Sequence, residues 1–233
     1  LTQKTKKMKK KVLFIAAIAA AVFTTGDLNA QDFKPAGGEK NVEVNFTPLG
    51  GKPVSINNIK LRYFSSSDMA IRLGISVTSS SDKTVNLGAG ADGKGELEDV
   101  KSSFGFSLNP GIEMHWEGTD RLSPYYGAEL MFSTVSNKET NQVWDAADAT
   151  TREGEKTSGS TTFGLNLLIG ADWYFTKSMY MGTEVGFGFA SVSEKDSENT
   201  PAVKDAKTAT APGGSTFNLG PNFNSSIRLG FLF

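Results

Sequence analysis

Apolar and polar side chains alternate along most of this chain with a period of two, in segments separated by polar clusters. Because successive side chains of a strand point to opposite faces of a sheet, the alternation predicts β-strands that each have one apolar face. The pattern predicts eight strands. They cover a short segment that starts at residue 41 and then, approximately, residues 57–64, 69–78, 102–116, 125–135, 161–175, 179–193 and 216–233.

The connections between these segments alternate in length. Those after the second, fourth and sixth segments are short, the first is intermediate, and residues 79–101, 136–160 and 194–215 form long, charged connections. This parity collects the short turns at one end of the sheet and the long loops at the other, as in outer-membrane barrels with periplasmic turns and extracellular loops. It predicts an even strand count and places both termini at the short-turn end.

The final segment presents an apolar face up to the last residue. That face is formed by Ile227, Leu229, Phe231 and Phe233. A soluble protein rarely ends on an unprotected apolar strand, which would template aggregation. In an outer-membrane barrel, the same strand closes the barrel against the first one and turns its apolar face to lipid. A terminal Phe after alternating apolar residues also resembles the signal that such proteins present to the barrel-assembly machinery.

A soluble β-sandwich or a lipocalin-like barrel is the alternative, because it would also alternate, with its apolar face toward a core. Two features of the segments favour the membrane barrel. Their polar faces are rich in glycine and other small residues, which suit a narrow eight-stranded lumen better than an exposed sheet face. Aromatic residues near the short-turn ends also predict an interfacial girdle. The girdle comprises Tyr63, Trp116, Tyr126, Trp173, Phe175 and Tyr180.

The N-terminal stretch has the pattern of an export signal. Met8 is followed by three lysines, an apolar run over residues 12–23, and a small residue, Ala30, at a plausible cleavage point before Gln31. The apolar run is about a dozen residues, whereas a bilayer-spanning helix needs about 20. We therefore expect residues 1–30 to be upstream residues plus a cleaved signal peptide, and residues 31–233 to form one barrel domain.

Removing this leader changes the charge balance. The leader carries six of the 24 Lys and Arg residues and one of the 25 Asp and Glu residues, which leaves a net charge of −6 on residues 31–233. That sign argues against a nucleic-acid partner, which would favour a basic surface. The chain has no cysteine, which excludes a disulfide scaffold, a thiolate metal site and a lipoprotein anchor. We predict no cofactor.

Residues 41–233 resemble the small eight-stranded outer-membrane barrels of the OmpA/OmpX-like group, in the form common in gut Bacteroidota. The residues that carry this resemblance are the Ile227–Phe233 ending and the parity of strands and turns. The resemblance implies an all-β, eight-stranded, antiparallel, up-and-down transmembrane barrel in the outer membrane of a Gram-negative bacterium, surrounded by lipid and lipopolysaccharide. The chain differs from OmpA in lacking a periplasmic peptidoglycan-binding domain after the barrel, which removes the main reason to expect a cell-wall tether.

The polar faces of the predicted strands direct ten ionisable side chains into the lumen. These are Glu43, Lys60, Arg62, Arg72, Glu113, His115, Glu129, Asp172, Glu184 and Arg228. A narrow barrel has room for side chains and little else, so we expect a charge network in which each ion is compensated. The alternative is a path for protons or small ions, or a narrow channel.

His115 is the only histidine, and it raises the question of catalysis. Glu113 shares its face and Ser123 lies nearby in the predicted turn, so the residue types of a serine hydrolase are present. However, lipid-remodelling barrels generally hold such groups at the bilayer-exposed or extracellular side, whereas His115 lies near the short-turn end. We therefore predict no catalytic residues. The acidic residues of the first long connection are expected to form a solvated surface and no metal site.

The function that these patterns favour is non-enzymatic. We expect an envelope structural protein or a surface-interaction protein that acts through long, mobile, acidic extracellular loops, because rigid scaffolds present function on loops. Its surface partner cannot be named from the sequence. A narrow pore for small solutes or ions is the alternative, and a lipid-modifying outer-membrane enzyme is the third possibility.

Overall fold

The computed structural model describes residues 33–46, 59–90, 93, 95–223 and 227–233, and the predicted signal peptide lies outside these residues. Eleven strands occur among them. They are β1 (Lys40–Phe46), β2 (Ile59–Ser66), β3 (Met69–Ala89), β4 (Gly95–His115), β5 (Leu122–Asp145), β6 (Thr150–Tyr174), β7 (Met179–Glu194), β8 (Ser197–Thr200), β9 (Ala209–Ala211), β10 (Ser215–Phe223) and β11 (Ile227–Leu232). The described part of the chain contains no helix long and apolar enough to cross a membrane.

The strands close into a ring. Each of β1 to β6 pairs antiparallel with the next strand. Strand β11 closes the ring, with Arg228 opposite Gly182 of β7 and Gly230 opposite Glu43 of β1. Strand β10 extends the pairing with β7 beyond β11, so β10 and β11 together occupy the eighth position. The predicted eight-stranded antiparallel barrel is therefore confirmed, with its last strand described as two segments.

The prediction of long loops was wrong for most of the polar connections. Strands β3 and β4 stay paired out to Ala89 opposite Gly95, and β5 and β6 stay paired out to Asp145 opposite Thr150. These extensions are solvated on both faces and have no continuous apolar face, so the alternation that marks a half-buried strand disappears although the backbone ladder continues. The third connection contributes β8 and β9, and β8 pairs with β6 at Glu155, Lys156 and Thr157.

The outer surface has two aromatic rows. Near the short turns, Tyr63, Trp116, Tyr126 and Trp173 are exposed, and Phe175 is half-buried against Trp173 with ring centroids 6.0 Å apart. A second row that the sequence analysis did not predict lies toward the long hairpins. It is formed by the exposed side chains of Phe104, Phe132, Phe163 and Phe217.

These two rows bound an apolar band whose height can be worked out along β6. Trp173 and Phe163 are ten residues apart on this strand. At about 3.3 Å per residue and a strand tilt of about 40°, they bound a band about 25 Å tall, the height of a membrane barrel's lipid-facing surface. The same geometry places the Thr150 end of β6, thirteen residues beyond Phe163, about 30 Å above that band.

The assignment of Tyr180 to the girdle was wrong. This side chain is fully buried and lies in the lumen, whereas its neighbours Met179 and Met181 are exposed on the outer face. The physical reason is the period of two: Tyr180 has the same parity as Gly182 and Glu184, whose side of β7 faces inward. Strand parity therefore decides the orientation of this tyrosine, and closeness to a turn does not.

Candidate functional site in the barrel lumen

The structure places all ten predicted ionisable side chains in the lumen, where they form what we call the lumen charge network. Nine of these residues are buried, and the side chain of Glu129 is 11% exposed. Each of the eight positions around the ring contributes at least one of them, because inward-facing positions on neighbouring strands lie side by side in the register.

Three arginines connect the carboxylates across the barrel. Arg62 contacts Glu113 at 2.7 Å and Asp172 at 2.8 Å. Arg228 contacts Asp172 at 2.7 Å and Glu43 at 3.2 Å. The Arg62–Asp172 pair joins β2 to β6 on the opposite side of the ring, and the other pairs join closer strands, so the guanidinium groups act as cross-braces in a desolvated interior.

Arg72 is the one of the three whose pairs with three carboxylates are all shorter than 3 Å. It lies 2.7 Å from Glu113, 2.7 Å from Glu184 and 2.8 Å from Glu129. Lys60 is held more loosely, at 3.6 Å from both Glu43 and Glu184. Five carboxylates thus meet four Lys and Arg side chains, and every one of these acids has at least one basic partner.

Two buried tyrosines complete the network, and the sequence analysis did not identify them as members of it. The Tyr180 hydroxyl donates a hydrogen bond to Glu43 Oε2 at 2.8 Å, and the Tyr125 hydroxyl donates one to Glu184 Oε2 at 2.6 Å. Their rings also lie 4.9 Å from the Arg62 guanidinium and 5.3 Å from that of Arg228, respectively. Strand parity would have found both, since they share faces with inward-pointing glycines and glutamates.

Glycines make room for these large side chains. A Cβ on Gly170 would come 2.5 Å from the Tyr125 hydroxyl, and a Cβ on Gly182 would come 2.6 Å from an Arg228 nitrogen. A Cβ on Gly230 would overlap the Tyr180 ring. The glycine-rich inner faces therefore accommodate the charge network, and the lumen they create is filled rather than empty.

An aromatic layer covers the network at the short-turn end. Tyr174, Tyr180 and Leu232 form a buried cluster, and Phe33 packs against it from the N-terminal side. The Arg121 guanidinium lies 4.0 Å from the centre of the Phe33 ring. Apolar side chains thus close this end of the lumen. They separate the ions of the charge network from water on the short-turn side.

His115 sits in this layer and does contact both of its predicted neighbours. Its Nδ1 lies 2.9 Å from Ser123 Oγ, and its Nε2 lies 3.4 Å from Glu113 Oε2. Ser123 belongs to β5 and not to a turn, and it is only 4% exposed. The rings of Phe64 and Tyr125 flank the imidazole at centroid distances of 5.4 Å and 5.2 Å.

These contacts do not make an accessible nucleophile. A hydrolase needs a site beside the serine where a substrate's reacting atom can bind, but the Ser123 hydroxyl is enclosed by the barrel wall and the aromatic layer. Glu113 is also held by two arginines. Among the described residues, no cluster of three or more metal-ligating His, Asp or Glu side chains occurs.

The family follows from the sequence match, which agrees with this architecture. Residues 51–191, more than half of the 233-residue chain, match the model of the OmpA-OmpF-like porin family. The chain belongs to this porin family. It is therefore an integral outer-membrane β-barrel protein of the Gram-negative type, with its short turns in the periplasm and its long hairpins outside the cell.

The porin-family barrel is also similar to several solved structures. OprG from Pseudomonas aeruginosa shares 10% identity at a TM-score of 0.45, covering 87% of this chain and 99% of that one. Ail, the attachment invasion locus protein of Yersinia pestis, shares 14% identity at a TM-score of 0.36, with 84% and 99% covered. The N-terminal barrel domain of Pseudomonas aeruginosa OprF shares 11% at 0.33, with 85% and 100% covered. No curated protein matches the chain.

The lumen of this porin-family barrel changes from charged to uncharged side chains toward the extracellular side. Beyond the charge network it holds a cavity of about 320 Å³, lined by uncharged residues that include Met131, Asn166, Gly188 and Asn218. Asn166 forms part of its boundary and is 5% exposed, whereas Asn218 is exposed. The interior therefore consists of a sealed, charged periplasmic part and a neutral extracellular part.

Proposed function

We propose that this protein is a non-enzymatic outer-membrane scaffold that acts at the cell surface through its long β-hairpins. The observation that carries the proposal is the β5–β6 ladder, which runs without a break from Leu122 opposite Trp173 to Asp145 opposite Thr150. About half of this ladder lies beyond the lipid-facing band, so the barrel presents an ordered surface well outside the bilayer. Rigid presentation of this kind is how barrel scaffolds support recognition.

Ion pairs and an added sheet stabilise the distal part of this hairpin. Lys138 pairs across the strands with Glu155 at 2.7 Å, and near the tip Arg152 contacts Asp145 at 2.5 Å. The hydrogen bond that Arg152 donates, with a backbone N–H of the turn, holds the pKa of the Asp145 carboxyl below its usual value. Strand β8 adds a further edge to β6, so the tip presents a sheet of β5, β6, β8 and β9.

The tip offers both charge and apolar area to a partner. Val143 is 44% exposed and lies next to the half-buried Trp144, within a surface that is otherwise polar. Aromatic and apolar residues surrounded by a polar rim are typical of protein contact sites. We therefore propose that a macromolecule on another cell or surface is the partner, with the outer-membrane lipid and lipopolysaccharide surrounding the barrel wall.

The C-terminal strand supports the proposed interaction with the barrel-assembly machinery. Ile227 is exposed, and Leu229, Phe231 and Phe233 are half-buried on the same outer face, while Arg228 and Gly230 alternate into the lumen. This apolar edge pairs with β1 to close the ring, so it is available to an insertion factor only before closure. We propose that these four residues form the insertion signal.

The surface role is tested by shortening the hairpin without touching the barrel. Replacing residues 139–156 by Asn-Gly connects Lys138 to Thr157, which face each other in the ladder, through a favoured two-residue turn. Liposomes carrying the intact protein are expected to adhere to epithelial or bacterial cell layers, and the shortened protein is expected to lose that adhesion. The matched control replaces residues 84–99 by Asn-Gly between Lys83 and Val100 in the β3–β4 hairpin.

A folded barrel is recognised by its heat-dependent shift in gel mobility, so loss of adhesion can be separated from loss of folding. Equal adhesion by the shortened and intact proteins would refute the role of the β5–β6 hairpin. The filled lumen also predicts no steady conductance in a planar bilayer. Discrete current steps that change on Arg72→Ala or Glu113→Ala would favour the narrow pore instead.

A further inference from the structure

In the lumen charge network the carboxylates outnumber the Lys and Arg side chains, and the surplus lies at one end. Glu43, Glu113, Glu129, Asp172 and Glu184 contribute five negative charges, whereas Lys60, Arg62, Arg72 and Arg228 contribute four positive ones. The imidazole of His115 lies in the periplasmic aromatic layer beside Glu113. The carboxylates of the interior therefore outnumber its Lys and Arg side chains by one.

Glu129 is the least compensated of the five. Its ion pair is with Arg72 at 2.8 Å, and that guanidinium is shared with Glu113 and Glu184. The Glu129 atom in this pair is Oε2, whose contact with the Arg72 nitrogen lacks good hydrogen-bond geometry. Its side chain is 11% exposed, compared with 7% for Glu184 and 0% for Glu113. Glu129 thus lies at the extracellular boundary of the network, next to the neutral part of the lumen.

Asn166 joins this carboxylate to the cavity. It lies directly opposite Glu129 in the β5–β6 register, so their Cβ atoms are about 5 Å apart on the same inward face. Asn166 lines the cavity of about 320 Å³, is 5% exposed, and has no hydrogen-bond partner for its Oδ1. A buried amide oxygen without a partner is costly and indicates a missing donor.

From this geometry we propose that the cavity binds a small protonated aliphatic amine. The ammonium group would donate to Asn166 Oδ1 and lie against the Glu129 carboxylate, because it carries three donors and a single positive charge. Its hydrocarbon part would lie along Met131, Gly188 and Ala190, which line the same cavity. Exposed Asn218 at the edge of the cavity provides access from the extracellular side.

An amine fits these residues better than a bare metal ion does. Calcium requires six to eight oxygen ligands and magnesium a near-octahedral set, whereas the cavity offers few oxygen donors and a partly apolar wall. Arg72 and Lys60 lie deeper in the network and offset most of its negative charge, so the network attracts a ligand with a single positive charge. A dication is therefore disfavoured.

The experiment uses the full-length refolded protein in lipid nanodiscs, titrated with n-butylammonium and, separately, with the neutral n-butanol, by ligand-observed NMR. The wild-type protein is expected to bind the ammonium at least tenfold more tightly than the alcohol. Glu129→Gln is expected to remove this preference, and Asn166→Ala to weaken amine binding. Ala190→Leu leaves the charges unchanged and is expected to weaken both probes by filling the cavity.

The matched control is Glu98→Gln, which removes a carboxylate of the exposed β3–β4 hairpin. If this variant loses as much amine binding as Glu129→Gln, the attraction is a general surface effect and the proposal fails. Equal binding of butylammonium and butanol by the wild-type protein also overturns it, whatever the folding of the variants. Displacement of the amine by an equal concentration of potassium would refute the organic class of ligand.

Discussion

Replacing Arg72 by methionine tests whether the lumen charge network holds the barrel walls together. Arg72 contacts three carboxylates on three strands within 2.8 Å and is buried. After the substitution, Glu113 keeps Arg62, and Glu184 keeps Lys60 together with the Tyr125 hydroxyl. Glu129 keeps no ion pair in the described part of the chain.

The size of the effect follows from this arrangement. Removing one partner of a buried ion pair costs about 3–5 kcal/mol, because the remaining charge stays buried without compensation. Since Arg72 serves three acids, we expect a loss at the upper end of that range. A second substitution, Glu129→Gln, removes the unpaired charge and is expected to restore about 1–3 kcal/mol, a coupling typical of residues in direct contact.

The assay is urea unfolding of the protein in lipid vesicles, followed by tryptophan fluorescence and by heat-dependent gel mobility. The matched control is Lys138→Met, which removes a pair of similar length, 2.7 Å, between side chains that are 53% and 44% exposed. Solvent-exposed pairs contribute about 0–1 kcal/mol, so this variant should unfold almost as the wild type does. If Arg72→Met destabilises the barrel no more than Lys138→Met, the cross-bracing argument is wrong.

Three further predictions address packing, membrane position and pH. Gly230→Ala would place a methyl group inside a tyrosine ring and is expected to abolish the folded gel form, whereas Gly214→Ala, with nothing within 4 Å of the added atom, should fold normally. Leu167→Arg, midway across the apolar band, should reduce the free energy of unfolding by about 2–4 kcal/mol, while Thr151→Arg on the distal hairpin should change it by less than about 0.5 kcal/mol. Equal losses of stability in Leu167→Arg and Thr151→Arg would show that Leu167 does not lie within the apolar band. Because the pKa of Asp145 is lowered in the folded hairpin, its contribution is complete above about pH 4 and is lost as pH falls through the lowered folded value. The fluorescence of Trp144 should report this acid transition in the wild type. The same transition in Asp145→Asn would contradict its assignment to Asp145.

Strand parity explains which features of the barrel could be predicted from the sequence. A lipid-facing strand must alternate apolar and polar residues, so Leu165, Leu167 and Ile169 identify the outer face of β6 and Asp172 its inner face. The same rule identifies all ten lumen ions. It also would have placed Tyr180 correctly, had the parity been applied in place of the distance from a turn.

The long hairpins could not be predicted in this way. Consecutive residues such as Lys138 and Glu139 point to opposite faces of the sheet and are both exposed, so no alternation marks them as strand. Their pairing is determined by the backbone ladder that the barrel starts and by cross-strand contacts such as Lys138 with Glu155. The sequence pattern of a solvated strand and that of a polar loop are alike.

The closed barrel and the identity of the ions inside it could be predicted from the local period of two, and the short and long connections from the spacing of the segments. Which ions meet depends on the three-dimensional fold. The pairing of Arg72 with Glu184, 112 residues apart, depends on ring closure and strand stagger. Asn166 lies opposite Glu129 through the β5–β6 register, and the fold places a cavity against Asn166 that no spacing along the chain encodes.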